Sequence, residues 1–326
     1  MVVIGGGTGT HTVLRGLKKY QKQIDISAIV TMADSGGSTG RLRDEFGQLP
    51  VGDVRMALAA LASDVDEQDD LVRQLFLYRF NKGNGLSGHN FGNLLLVALT
   101  DILGSETAAI RAAAKVLRVR GNVIPVTNEH ADLVAVYSDG KKVVGEHEID
   151  EPEEDRYTKR IEELSVTPQA TISEVAEEEL LNADLIVLGP GDLYTSVLAN
   201  VVIDGVRESL HNSSAKMVYV SNLVTKLGQT SGMGVAEHVA EIEKYCGRRP
   251  DTVLVNTTPL PEELLKKYKE QDEYPVVFNY ESDDVRVVPA DLLANESVQT
   301  AQGDVLKRSL IRHDSRKLAR KLVELL

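Results

Sequence analysis

A series of short Val-, Ile- and Leu-rich runs constrains this chain more than any other feature. They are "MVVIG" (1–5), "DISAIVTM" (25–32), "DLIVLGP" (184–190), "AKMVYVS" (215–221) and "DTVLVN" (251–256), and each closes at or beside Gly, Asp or Asn. Runs that are apolar throughout, not alternately, suit strands covered on both faces, as in a parallel sheet. Helical patterns lie between them. Leu14 and Leu17 mark the apolar side of a helix over 10–20. Leu71, Leu75 and Tyr78 beside Val72, Phe76 and Phe80 predict a buried helix over 69–80. Asp314 is placed to cap a last helix carrying Leu318, Leu322 and Leu325. Strand-helix alternation predicts an α/β, Rossmann-like, three-layer, doubly wound fold with a mainly parallel sheet. We read residues 1–326 as a single domain of this kind.

One stretch breaks the alternation. "NVIPVTNEHADLVAVYSDGKKVVGEHEID" (122–150) alternates around Asp139-Gly140, a hairpin turn signal, and "ELSVTPQATI" offers another strand. A smaller β-rich insertion is therefore expected over 120–180. The 36 basic and 49 acidic residues leave a formal charge of −13, which argues against a broad grip on nucleic acid or anionic membrane. A local cluster of arginines and backbone amides could still hold a nucleotide-sized anion. Cys246 is the single cysteine, so a reducing compartment is the simplest expectation. No signal peptide or membrane-spanning run is visible, and a cytoplasmic location follows.

The motifs that could carry chemistry sit after the strand-like runs. "GGGTGTHT" (5–12) joins the first strand to a helix, where backbone N–H groups approach a phosphate at the positive helix end. Thr10 stands where the dinucleotide fingerprint needs its last glycine, and no Walker sequence follows, so an NAD-type dehydrogenase is the weaker alternative. A tight turn without a ligand is the other alternative. After the second strand, "ADSGGSTGRLRDEFGQLPVGDVR" (33–55) puts Asp34 where open α/β sheets place their ligands. Asp34 could hold a ribose hydroxyl or a Mg²⁺ ion beside a phosphate. Arg41, Arg43 and Arg55 supply cations, and Asp53 is a candidate N-cap. "GHNFGN" (88–93) and "GPGDLYTS" (189–196) open further segments in the same manner, and Asn222, Thr225, Lys226 and Thr230 follow the strand at 215–221. No G-x-S-x-G elbow, H-E-x-x-H or Cys-His pairing stands out.

Taken in order, "GGGTGT", "ADSGGSTGRLRDEFG", "LPVGDVR", "QLFLYRF", "GHNFGNLLL", "ADLIVLGPGDLYTS" and "RHDSRKLA" resemble the CofD/YvcK family from Gly5 to about Leu318. The family has two branches. One holds Mg²⁺-dependent 2-phospho-L-lactate transferases, which move a phospholactyl group from a nucleotide-activated donor to a deazaflavin. The other holds YvcK-type gluconeogenesis factors, which bind UDP-sugars and affect carbon metabolism and cell shape. This chain looks more like the second branch.

The resemblance implies that Gly5, Gly6, Gly7, Thr8, Gly9 and Thr10 line the phosphates and that Asp34 stands near the diphosphate or a metal. Ser38, Thr39 and Arg41 would complete the anion pocket, with Asn90 and Asn93 facing the nucleotide. Gly189, Gly191 and Asn222 would form the other wall, and Tyr268 and Arg312 would lie near the sugar end. It also implies a homodimer. Where the family often has paired aspartates this chain has Asp34-Ser35, and a "TQxGET"-like segment reads "TKLGQT", with Lys226 and Gln229. The lost acid weakens the expectation of a tightly held Mg²⁺, and no other cofactor is implied. The expected function is a regulatory protein that binds a nucleotide sugar; the alternative is a Mg²⁺-dependent phosphoester transferase of the 2-phospho-L-lactate type. Catalytic residues are not assigned.

Overall fold

Val3 and Ile4 are neighbours on the first strand, both fully buried, yet they pack into different cores. Ile4 joins Ile29, Ile186, Leu188 and Tyr219 on one face, while Val3 joins Ala28, Val30, Val187 and Val218 on the other. A strand with apolar contacts on both sides has no reason to alternate, which is why these runs are continuous.

The computed structural model describes residues 1–65, 67–295 and 310–326. Its strands are β1 (Val2–Gly5), β2 (Ser27–Val30), β3 (Asn122–Pro125), β4 (Asp132–Tyr137), β5 (Lys142–Val144), β6 (Ile161–Thr167), β7 (Leu185–Leu188), β8 (Lys216–Val220), β9 (Thr252–Asn256) and β10 (Arg286–Ala290). A seven-stranded parallel sheet has the order β10-β9-β8-β7-β1-β2-β3. The chain winds outward from β1 in one direction and, from β7, in the other, so the carboxyl ends of these two strands border a crevice.

Helices α1 (Gly7–Leu17), α2 (Gly37–Phe46), α3 (Gly52–Leu61), α4 (Glu67–Leu77), α5 (Phe91–Leu103), α6 (Glu106–Val116) and α7 (Glu146–Asp150) follow in chain order. Leu14, Leu58, Leu96 and Ile110 bring α1, α3, α5 and α6 onto one face of the sheet. The last helix, Ser315–Val323, joins them through Leu318 and Leu322, and Asp314 caps it by accepting from the N–H groups of Arg316 and Lys317. On the other face lie helices Val206–Asn212 and Val235–Cys246, through Leu210 and Ile242, and a three-stranded antiparallel sheet β5-β4-β6. The fold is thus doubly wound α/β with a small added antiparallel sheet.

Several elements differ from expectation. The β4–β5 hairpin turns at Asp139-Gly140, with Gly140 at φ 82°, but β3 completes the main sheet and residues 146–150 form a short helix. Strand β10 carries Pro289, which an edge strand tolerates because, among the described residues, no strand pairs with the other side of its backbone. The helix expected over 69–80 is α4, and it is not buried all round. It ends at Leu77, before Tyr78 and Phe80. Phe76 is enclosed, whereas Leu71 and Leu75 are exposed because α4 lies outside α3 and α5, and Tyr78 just beyond it is exposed too. Among the described residues no helix is long and apolar enough to cross a membrane.

Candidate functional site

The loops after β1, β2, β7 and β8 gather around a cleft of about 580 Å³. Helices α1, α2 and α3 all begin on it, and Gly7, Thr8, Gly9, Gly37, Ser38, Thr39, Gly52 and Asp53 line its wall. First-turn N–H groups have no partner inside their own helix, and helix N-termini carry positive partial charge. The N-cap residues Gly6, Gly36 and Val51 supply no side-chain hydrogen bond. Gly9 is needed for close approach, since a Cβ there would run into the Pro190 carbonyl. The turn after β1 and the loop after β7 therefore meet backbone to backbone.

Two carboxylates stand at these helix starts. Asp53 is not the N-cap of α3; it lies inside the first turn and accepts from the Gly7 N–H at 2.8 Å. Asp34 accepts from the Gly36 N–H at 2.9 Å and packs against Gly52, where any Cβ would meet its Oδ2. Burial raises the pKa of both acids, and the nearby Asp34 charge helps push Asp53 up to about 7. A proton or a cation between them would relieve that opposition.

The added sheet closes one side. Its helix α7 places Glu146, His147 and Asp150 in the cleft wall. The Ser35 hydroxyl accepts from the His147 N–H at 3.0 Å, and Asp150 accepts from Lys226 Nζ at 3.3 Å and Gln229 Nε2 at 3.1 Å. Burial, together with the charges of Asp34 and Asp150, drives Glu146 well above the ordinary carboxylate value. Burial likewise pushes Asp192 up to about 6, with Asp150 adding to the shift and Lys226 opposing it. Burial works against the Lys226 ammonium, but Asp192 and Asp150 outweigh it and raise its pKa. On the helical side, Arg55, Arg79 and Arg312 face the cleft. Burial and the charges of Arg73, Arg15, Arg312 and Arg55 lower His11 to about 3, and burial lowers His313, also in the wall, to about 4. Among the described residues no three His, Cys, Asp or Glu side chains converge to hold a metal ion.

A buried polar network lies behind Asp34. Ser38 Oγ receives the Asn90 N–H at 3.3 Å and Asn93 Nδ2 at 3.4 Å. Those donors leave the Ser38 proton for His89 Nδ1, 3.2 Å away, so that nitrogen is the acceptor. Burial and the Arg41 charge lower the His89 pKa and favour this neutral form. Asn93 Oδ1 in turn accepts from Arg55 Nε at 2.8 Å. The Ser38 hydroxyl is fully engaged by the protein and is no free nucleophile.

A family model described as 2-phospho-L-lactate transferase CofD matches residues 1–293. The chain belongs to the CofD family. The gluconeogenesis factor of Bacillus subtilis is 41% identical over 329 residues, spanning 100% of this chain and 98% of that protein. The gluconeogenesis factor of Listeria innocua is 40% identical over 329 residues, spanning 100% of this chain and 95% of its own. A crystal structure of a Bacillus halodurans protein superposes with a TM-score of 0.87 at 36% identity, covering 99% of this chain and 98% of the other.

Measured against the CofD-family expectation, the cleft gathers Gly6, Gly7, Thr8, Gly9, Asp34, Ser38, Thr39, Asn93, Gly191, Asn222, Tyr268 and Arg312. The Tyr268 hydroxyl accepts from the N–H groups of Leu310 and Ile311, steadying the loop that carries Arg312. Others stand apart. Gly5, buried Thr10 and Gly189 do not line the cleft. Arg41 is exposed and donates to the Ser87 carbonyl, to which its long side chain reaches away from the cleft. Asn90 caps α5, with Oδ1 accepting from Gly92 and Nδ2 donating to the Leu77 carbonyl, and it does not line the cleft. The departures have structural roles: Ser35 holds α7, and Lys226 and Gln229 both hold Asp150. The contributions of Glu146, His147 and Asp150 were not signalled locally, since "EHEID" reads as an ordinary acidic stretch.

Proposed function

We propose that the cleft binds a nucleotide-sugar-type ligand, such as a UDP-sugar, and that the protein acts in the regulation of carbon metabolism as a gluconeogenesis factor, with cell shape responding to the same activity. The observation that carries this is the meeting of three helix N-termini at one cleft, with Arg55 and Arg312 beside them. That arrangement suits a diphosphate, which needs many N–H donors and compensating positive charge. Isothermal titration with UDP-N-acetylglucosamine, UDP and other nucleoside diphosphates tests it. Micromolar binding of at least one is expected; binding of none overturns the proposal.

Asp34 and Asp53 favour a second proposal, a Mg²⁺-dependent phosphoester transferase. The pair offers hard oxygen ligands, and a divalent cation would offset the mutual opposition that helps raise Asp53 to about 7. Asp34 and Asp53 would hold the ion, with ligand phosphates and water completing its shell, and it would neutralise charge on the transferred group. Incubation with an activated phospholactate donor, a deazaflavin and Mg²⁺ should then give transferred product, and Asp34→Asn should abolish it. As a protein partner we propose a second copy of this chain, seated on the exposed Leu71, Leu75 and Tyr78.

A further inference from the structure

Asn222 lies in the cleft wall just beyond β8, and its amide is held at both ends. Nδ2 is 2.7 Å from the Gly191 carbonyl oxygen. A carbonyl can only accept, so this end of the amide is the nitrogen. Oδ1 therefore faces Tyr219, whose hydroxyl donates to it at 3.0 Å. Tyr219 is fully buried, and its ring stacks on His238 with centroids 6.4 Å apart and planes 19° from parallel. His238 is fixed in the same way, because its Nδ1 lies 2.7 Å from the Gly234 carbonyl and must carry the hydrogen. A flipped amide would set two carbonyl oxygens against each other at Gly191 and forfeit that bond.

The nitrogen end adjoins the phosphate turn. The Pro190-Gly191 loop that it grips is the one that abuts Gly9 at the start of α1. One amide N–H of Asn222 remains without a protein acceptor among the described residues. It adds a side-chain donor to the N–H groups of the first turn of α1.

We propose that Tyr219 is a positioning residue for ligand recognition: its hydroxyl locks the Asn222 amide so that the remaining N–H meets a hydrogen-bond acceptor of the ligand, a phosphoryl or carbonyl oxygen. This rests on the nucleotide-binding proposal above and adds the polarity of one contact, which the Gly191 carbonyl sets, and the residue that holds the amide at its other end. Tyr219→Phe keeps the ring and its stack and removes only the hydroxyl.

The test is isothermal titration of the full chain with UDP-N-acetylglucosamine and with UDP, using the wild type, Tyr219→Phe, Asn222→Ala, Asn222→Asp and the Tyr219→Phe/Asn222→Ala double variant. Circular dichroism establishes that each is folded. Loss of one oriented hydrogen bond should weaken binding by about five- to tenfold in Tyr219→Phe. Asn222→Ala should cost at least as much, and the tyrosine change should add nothing on that background, because it acts through Asn222. Asn222→Asp should bind more weakly than Asn222→Ala, since a carboxylate would face an oxygen acceptor. Wild-type affinity in Tyr219→Phe, a further loss in the double variant, or Asn222→Asp binding as well as Asn222→Ala would each overturn the assignment. If the wild type binds neither of these nor any other nucleoside diphosphate, the nucleotide-binding proposal itself fails, and that outcome is distinct from the other three.

Discussion

The carboxylate of Asp53 accepts a hydrogen bond from the Gly7 N–H at 2.8 Å, so a side chain of α3 occupies the first amide of α1. A carboxylate is favoured at that end of a helix, as a ligand phosphate would be. Asp53 thus takes one of the donors a phosphate would use, while burial and Asp34 hold its own pKa near 7.

The Asp53 pKa gives stability a pH dependence. The ordinary value is 3.8 and the folded value about 7, so the folded chain binds a proton that the unfolded chain has released across that window. The contribution of Asp53 to stability therefore falls as pH rises from about 4 to about 7. Asp53→Asn keeps an acceptor for Gly7 and has no charge to lose. Its melting temperature, relative to wild type, should be higher at about pH 8 than at about pH 5. A difference that is flat with pH would contradict the environment assigned to Asp53.

Gly9→Ala should disturb both walls of the cleft. The added Cβ meets the backbone carbonyl of Pro190, which cannot swing aside as a side chain can. The expected cost is about 1–3 kcal/mol in urea unfolding. Gly85→Ala, where a Cβ meets nothing within 4 Å, is the control and should be near neutral.

Lys226→Met should destabilise more at high pH than at low pH. The lysine holds Asp150 at 3.3 Å and opposes the rise of the Asp192 pKa, which stands at about 6. Above about pH 7 Asp192 would have to carry charge in the cleft without that cation, whereas below about pH 5 it is protonated and needs it less. Melting curves of the variant and wild type at the two extremes measure the difference; equal losses would show that the lysine acts by packing alone.

The outer face of α4 tests the proposed second copy. Leu71 and Leu75 are 65% and 48% exposed, so Leu71→Asp/Leu75→Asp should cost the folded chain little, about 0.5 kcal/mol per site. If a second copy covers them, light scattering should give a dimer mass for the wild type and half that mass for the variant. A dimer mass for both places the interface elsewhere.

Much of the architecture was legible from residue order because burial leaves a local trace. β1, β2, β7, β8 and β9 are apolar on both faces and show as continuous runs, and the glycine-rich turn after β1 marks the start of α1. Residue type and position after a strand also brought Asp34, Thr39 and Asn222 to the cleft. Strand β10 left a weaker trace because Pro289 is tolerated only at an edge, and being an edge is a property of the assembled sheet.

Only the tertiary structure decided how the polar groups are shared. Gly7 with Asp53, Ser35 with His147, and Asp150 with Lys226 are pairs 46, 112 and 76 residues apart, brought together by the winding of the sheet and the docking of α7. Likewise, that Asn90 is buried as a helix cap and the Ser38 hydroxyl is engaged inside the protein, while Asn222 lines the cleft with one N–H unbonded among the described residues, depends on which groups folding brings within 3.5 Å of each. Apolar periodicity is written along the chain, residue by residue. A hydrogen bond needs distance and direction between two groups, and folding supplies both.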